Sequence, residues 1–213
     1  MKSTIALLGA TGKAGKYILT TLLQQGYAVK TLIRNPAAFT VASSSVTVVP
    51  GDANREEDIV RLLTGCDAVI SALGQPGNPA PVFSKATGNI IQAMPAAGVT
   101  RYLLITGLSI DVPGDAKSER VQQLSAWMRQ QYPELIADKQ KEYQLLADSS
   151  VNWTIVRLPV IEPTDKQYPL AVSLTDCPGE KISATDIGHF LISQLNSDAF
   201  IRQAPFIANT SGA

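Results

Sequence analysis

Histidine and cysteine are nearly absent from this chain. One histidine, His189, and two cysteines, Cys66 and Cys177, are too few for a metal cluster or a disulfide framework. No metal site is expected, and the two thiols are expected to be buried separately. Excess charge is also missing. Eighteen Lys and Arg balance eighteen Asp and Glu, so no overall field draws the chain to nucleic acid or to an anionic membrane. No apolar run reaches the ~20 residues of a membrane span, and the N-terminus reads as a strand rather than a leader. The expected setting is the cytoplasm, the expected partner is a small molecule, and any cationic site must be local. Nothing indicates an oligomeric state.

With 213 residues the chain is long enough for a sizeable core and short enough to form one domain over residues 1–213. Strand-like runs alternate with helical patterns. Strands are expected at 4–8, 28–33, 46–49, 67–70, 101–106 and 153–157, with helices from 16, at 55–63, 82–93, 134–146 and from about 184 to 195. Pro95 is expected to end or kink its helix, and 113–115 reads as loop. Trp127 and Trp153 are expected in the core or a pocket wall. His189 stands apart from any candidate acid or nucleophile and is expected to be structural. Beyond Pro159 the pattern becomes irregular, as suits a small C-terminal substrate region. Such alternation predicts an α/β fold with a doubly wound parallel sheet of the Rossmann type.

The first predicted strand runs into Gly9-Ala10-Thr11-Gly12-Lys13-Ala14-Gly15, and a helical pattern follows at once. Strand, three glycines at GxxGxxG spacing, then helix is how a βα unit offers backbone N–H groups and a positive helix end to a pyrophosphate. Glycine allows the sharp turn, the close approach of phosphate and the tight packing of helix on strand. A dinucleotide is therefore expected against this turn. An NAD-selective site would carry a carboxylate at the end of the second strand. Here Ile33 is followed by Arg34-Asn35-Pro36. A permanently charged guanidinium suits a 2′-phosphate, so NADP is the expected cofactor. Lys13 reads either as a second cation or as a solvated charge. Asp52, after the third strand, is placed by such a fold beside the adenine, and it also fits as a helix cap. Ala72, Leu73 and Gly74 follow the fourth strand and should line the same crevice.

These segments, together with Trp153-Thr154-Ile155-Val156-Arg157-Leu158-Pro159, resemble the NAD(P)H-binding atypical short-chain dehydrogenases/reductases, a group that includes NmrA-like proteins and flavin reductases of the biliverdin reductase B type. The resemblance spans nearly the whole chain and is specific for fold and cofactor rather than substrate. It implies that Thr106 and Pro159 belong to the nicotinamide end of the site. It also gives Ser109 and Lys139 as the catalytic candidates, although Ser109 reads equally as a loop hydroxyl bonded to nearby backbone and Lys139 lies in a charged run that must mostly face water. The wider superfamily's Tyr-x-x-x-Lys pair is missing: no tyrosine has a lysine four residues later, and Lys139 and Tyr143 stand in the reverse order. Two functions fit. One is an NADPH-dependent reductase whose flat acceptor, a flavin, quinone or similar compound, needs little acid catalysis. The other is a non-catalytic NADP-binding redox sensor of the NmrA type.

Overall fold

A computed structural model describes residues 3–74 and 82–210. Its centre is an eight-stranded sheet in the order β3-β2-β1-β4-β5-β6-β10-β8. The strands are β1 (Thr4–Leu8), β2 (Ala28–Ile33), β3 (Val46–Pro50), β4 (Ala68–Ser71), β5 (Arg101–Gly107), β6 (Asn152–Leu158), β8 (Leu170–Ser173) and β10 (Phe206–Asn209). All neighbours pair in parallel except β8, which runs antiparallel to β10 at the edge. A separate small pair joins β7 (Val160–Glu162) to β9 (Lys181–Ser183). Six helices cover the sheet: α1 (Gly15–Gln24), α2 (Glu56–Leu63), α3 (Phe83–Ala97), α4 (Glu119–Gln131), α5 (Pro133–Ala147) and α6 (Ala184–Ser193). This is the doubly wound α/β architecture that the alternating pattern predicts.

The unbroken apolar run of β1 follows from its central place. Ile5 and Leu7 face the core under α1 and α6, whereas Ala6 and Leu8 face the core under α2, α3 and α5. A strand buried on both faces has no polar face to show. Register between β5 and β6 runs from Arg101 opposite Asn152 to Gly107 opposite Leu158, so both strands end at the same level. Open α/β sheets bind their ligands at such carboxyl ends.

Three local expectations change. Pro95 lies inside α3, which continues to Ala97. It sits in the last turn, where Gly98 in the left-handed conformation (φ +69°) closes the helix and Val99 N–H donates to the Met94 carbonyl at 3.1 Å. Little is lost there by one missing donor. The second change is α4, which no apolar period announces because only Val121 and Ser125 are buried. Trp127 on that helix is 52% exposed and packs edge-on against Tyr132 rather than entering a core. Trp153 is buried with its ring edge-on to Tyr143, and both thiols are buried, in separate clusters. His189 lies away from the sheet's carboxyl edge, its Nδ1 3.4 Å from Nε2 of Gln25, the residue that follows α1.

Candidate functional site

The carboxyl ends of β1, β4, β5 and β6 border one crevice of about 190 Å³. Gly12, Lys13 and Ala14 form one side and Ala72, Leu73 and Gly74 the next. Ile105, Thr106 and Gly107 form the floor, and Lys139, Leu158, Pro159 and Ile161 close the far end. Apolar and backbone surface dominate, with two cations, Lys13 and Lys139.

The three glycines divide their tasks. Gly9 has φ +77°, and a side chain there would place Cβ 2.3 Å from the Ala72 carbonyl oxygen. A Cβ on Gly15 would lie 1.9 Å from the Gly9 carbonyl oxygen. These two hold turn, helix and β4 together. Gly12 donates to the Gly9 carbonyl at 2.9 Å and, alone of the three, borders the crevice. Helix α1 starts beside it with no side-chain cap and no acidic residue in its first turn. Lys16 and Tyr17 N–H are taken up by the Gly12 and Ala14 carbonyls at 3.3 and 3.0 Å, so what the helix start offers an outside anion is its positive dipole end with no side-chain charge in front of it. A cradle that only glycine leaves open, beside an uncapped helix start, fits a pyrophosphate.

Other sequence candidates fall elsewhere. Thr11 is exposed at the tip of the turn, and Arg34 is exposed just beyond β2. Asp52 spends one carboxylate oxygen on Asn54 N–H at 2.9 Å, holding the turn that leads to α2. The buried Asp58 holds the same turn from the other side, accepting Asp52 N–H at 2.8 Å. Ser109 is 3% exposed and does not border the crevice. Its carbonyl takes the Arg129 guanidinium at 3.0 Å.

Lys139 is held at the crevice end of α5. Its Nζ lies 3.3 Å from Thr106 Oγ1 and 4.0 Å from the centre of the Phe83 ring. Burial lowers its pKa, against the pull of Glu142 and Asp138. Asp138 substitutes for the missing cap of α3: its carboxylate takes Phe83 N–H at 2.8 Å, Ser84 N–H at 3.3 Å and the Ser84 hydroxyl at 2.5 Å. Glu142 is 4% exposed and accepts the Thr87 hydroxyl at 2.8 Å, and Thr87 Oγ1 lies 2.9 Å from the Tyr102 hydroxyl. Burial pushes the Glu142 carboxyl up to about 7. Neither acid stands out in the run Asp138-Lys139-Gln140-Lys141-Glu142. The usable signal is that Glu142 shares a helical stripe with buried Ile136, Tyr143 and Leu146.

Beyond the crevice end, Arg157 of β6 is wholly buried. Its guanidinium grips both oxygens of Asp115 at 2.7 and 2.8 Å and donates to the carbonyls of Ala204 and Leu174. It lies 3.5 Å from the centre of the Phe206 ring. This pair ties the loop after β5 to β6, β8 and β10.

Among known proteins, the profile of a family of NAD(P)H-binding proteins matches residues 9–198. The photosystem II assembly factor Ycf39 of Cyanophora paradoxa is 28% identical over 161 residues, covering 73% of this chain and 44% of that protein. The chain thus spans less than half the length of that relative. A short-chain dehydrogenase/reductase from Veillonella parvula, solved in complex with NADP, superposes with a TM-score of 0.81 at 16% identity, over 99% of this chain and 96% of that one. A candidate NADH-flavin reductase from Streptococcus pneumoniae gives 0.76 at 23% identity, over 98% and 100%. At these identities both structures speak for the fold. Among the described residues no helix is long and apolar enough to cross a membrane, and no group of metal-binding side chains is found.

Proposed function

The chain belongs to a family of NAD(P)H-binding proteins, and from that premise we propose that it is an atypical short-chain dehydrogenase/reductase, an NADPH-dependent reductase of flat, conjugated acceptors such as flavins or quinones. The observation that carries this reading is the crevice itself: a glycine cradle at one end, and at the other an apolar wall of Ile105, Leu158, Pro159 and Ile161 with one buried-stem lysine. When bound, the nicotinamide supplies hydride. The chain's own residues would hold the pyrophosphate on the start of α1, seat the ring between Thr106 and Pro159, and exclude water with Leu158 and Ile161. Arg34, next to no acidic residue in sequence, would take the 2′-phosphate. Lys139 would place one N–H donor beside the acceptor, enough for a compound that delocalises its own developing charge. Ser109, which does not border the crevice, is assigned no contact with the reacting atoms.

The test is steady-state oxidation of NADPH and NADH by the purified protein with FMN, menadione and benzaldehyde as acceptors. Turnover with FMN or menadione, faster with NADPH and poor with benzaldehyde, is the expected result. Tight NADPH binding with no turnover of any acceptor would favour a cofactor-binding sensor.

A further inference from the structure

Glu142 is left over by this reading: a buried carboxyl that touches neither cradle nor acceptor wall. It sits one turn from Lys139 on the inward side of α5, at the end of a hydroxyl chain. Thr87 of α3 donates to Glu142 Oε1 and pairs with the Tyr102 hydroxyl of β5. While Glu142 is ionised it can only accept, which commits the Thr87 proton to it and leaves the Tyr102 hydroxyl to donate to Thr87. Lys139 itself has only the Thr106 hydroxyl and the Phe83 ring as close partners. An ammonium on an apolar, partly buried stem loses its proton easily unless a negative charge lies near.

We infer that Glu142 is a positioning residue for Lys139, a carboxylate anchored by Thr87 and Tyr102 one turn along α5 that keeps the lysine protonated at the far end of the crevice. The assignment deepens the reductase reading and rests on it for its catalytic meaning, but the charge coupling exists whether or not an acceptor is reduced. Other groups that act on the pair are few. Asp138, on the same helix, favours the charged lysine and is already engaged by α3; Tyr102 faces Glu142 from β5; α3 presents only the Thr87 hydroxyl and the Phe83 ring. From α4, which also packs on α5, no charge acts on either group among the described residues.

The experiment compares the full chain with Glu142→Gln, which keeps an acceptor for Thr87 but no charge. The readout is the pH dependence of Lys139 acetylation by acetic anhydride, followed by mass spectrometry with surface lysines as internal references. In the parent, labelling of Lys139 should rise with a midpoint below that of exposed lysines. In Glu142→Gln that midpoint should fall further, by about one pH unit, the scale of losing one nearby opposite charge. With menadione and NADPH, the alkaline limb of the turnover profile should move the same way by the same amount, while KM for NADPH stays within about twofold. A second variant, Thr87→Val, should lower the Lys139 midpoint less, since it frees the carboxylate without removing it. An unchanged Lys139 midpoint in folded Glu142→Gln overturns the inference. A shifted midpoint in a protein that reduces no acceptor upholds the coupling and sinks the reductase reading instead.

Discussion

Gly12 and Gly15 stand three residues apart and should fail differently when given side chains. A Cβ on Gly12 would press on the Gly9 carbonyl at 3.2 Å, relieved by a shift of a few tenths of an ångström, and meet the Ala72 carbonyl at an ordinary 3.8 Å. Gly12→Val is therefore expected to fold, with a melting temperature near that of the parent, and to lose NADPH binding in a calorimetric titration because its side chain fills the cradle. Gly15→Ala meets backbone at 1.9 Å. It should destabilise the chain by about 1–3 kcal/mol in urea unfolding, the usual cost of overpacking. Arg34 supplies a cleaner test of cofactor choice. Arg34→Glu should weaken NADPH roughly ten- to a hundredfold, the worth of one charge-assisted hydrogen bond, and leave NADH nearly unchanged. Equal affinities for both cofactors in the parent would remove the ground for NADP preference. Lys139→Ala should slow flavin or quinone turnover nearer tenfold than the ~10²–10⁴-fold of a lost general acid. Ser109→Ala should do less, since that residue does not border the crevice.

Helix α5 carries a pH signature in the neutral range. The Glu142 carboxyl is raised from the ordinary 4.5 to about 7 by burial, so between those values the folded chain holds a proton that the unfolded chain has released. Folding stability should fall as pH rises through that window, and Glu142→Gln should flatten this part of a melting-temperature profile. A profile that keeps its slope in the variant would place the titration elsewhere. Much of the frame around α5 could be read from sequence. Strands β1 to β6 are apolar runs bounded by turn residues, and α1, α2, α3, α5 and α6 have helical spacing. Helix α4 could not be read, because a helix that buries only Val121 and Ser125 leaves no period. The cradle was visible in its glycines and the far wall partly so in Thr106, Lys139 and Pro159. Ile105 and Ile161 were not, since apolar residues beside a crevice look like core. Asp138 and Glu142 were hidden by the opposite effect: acids in a charged run look solvated, and only the tertiary contact with α3 shows otherwise.

At the scale of the whole molecule, the crevice lies where two cores meet at one edge of the sheet, so ligand binding should be felt as global stability. NADPH at a hundred times its dissociation constant should add about 2.7 kcal/mol to unfolding, seen as a rise in melting temperature that NADH at equal concentration does not match. The Arg157 and Asp115 pair gives the far wall a further dependence. Asp115→Ala would strand a guanidinium that is wholly buried, and removing one partner of such a pair costs about 3–5 kcal/mol. The partners of that guanidinium also come from distant parts of the chain, Ala204 being 47 residues further on. On a ribosome, which delivers residues in order, the cradle at the start of α1 emerges long before Ala204 and Phe206. Until they arrive, the Arg157 charge has reason to stay in water, and the end of β6 has no settled place. A nascent chain halted in that interval would possess the glycine turn but not a finished far wall, so on the proposed reading the half of the crevice meant for the cofactor is made early and the half meant for the acceptor waits for β10.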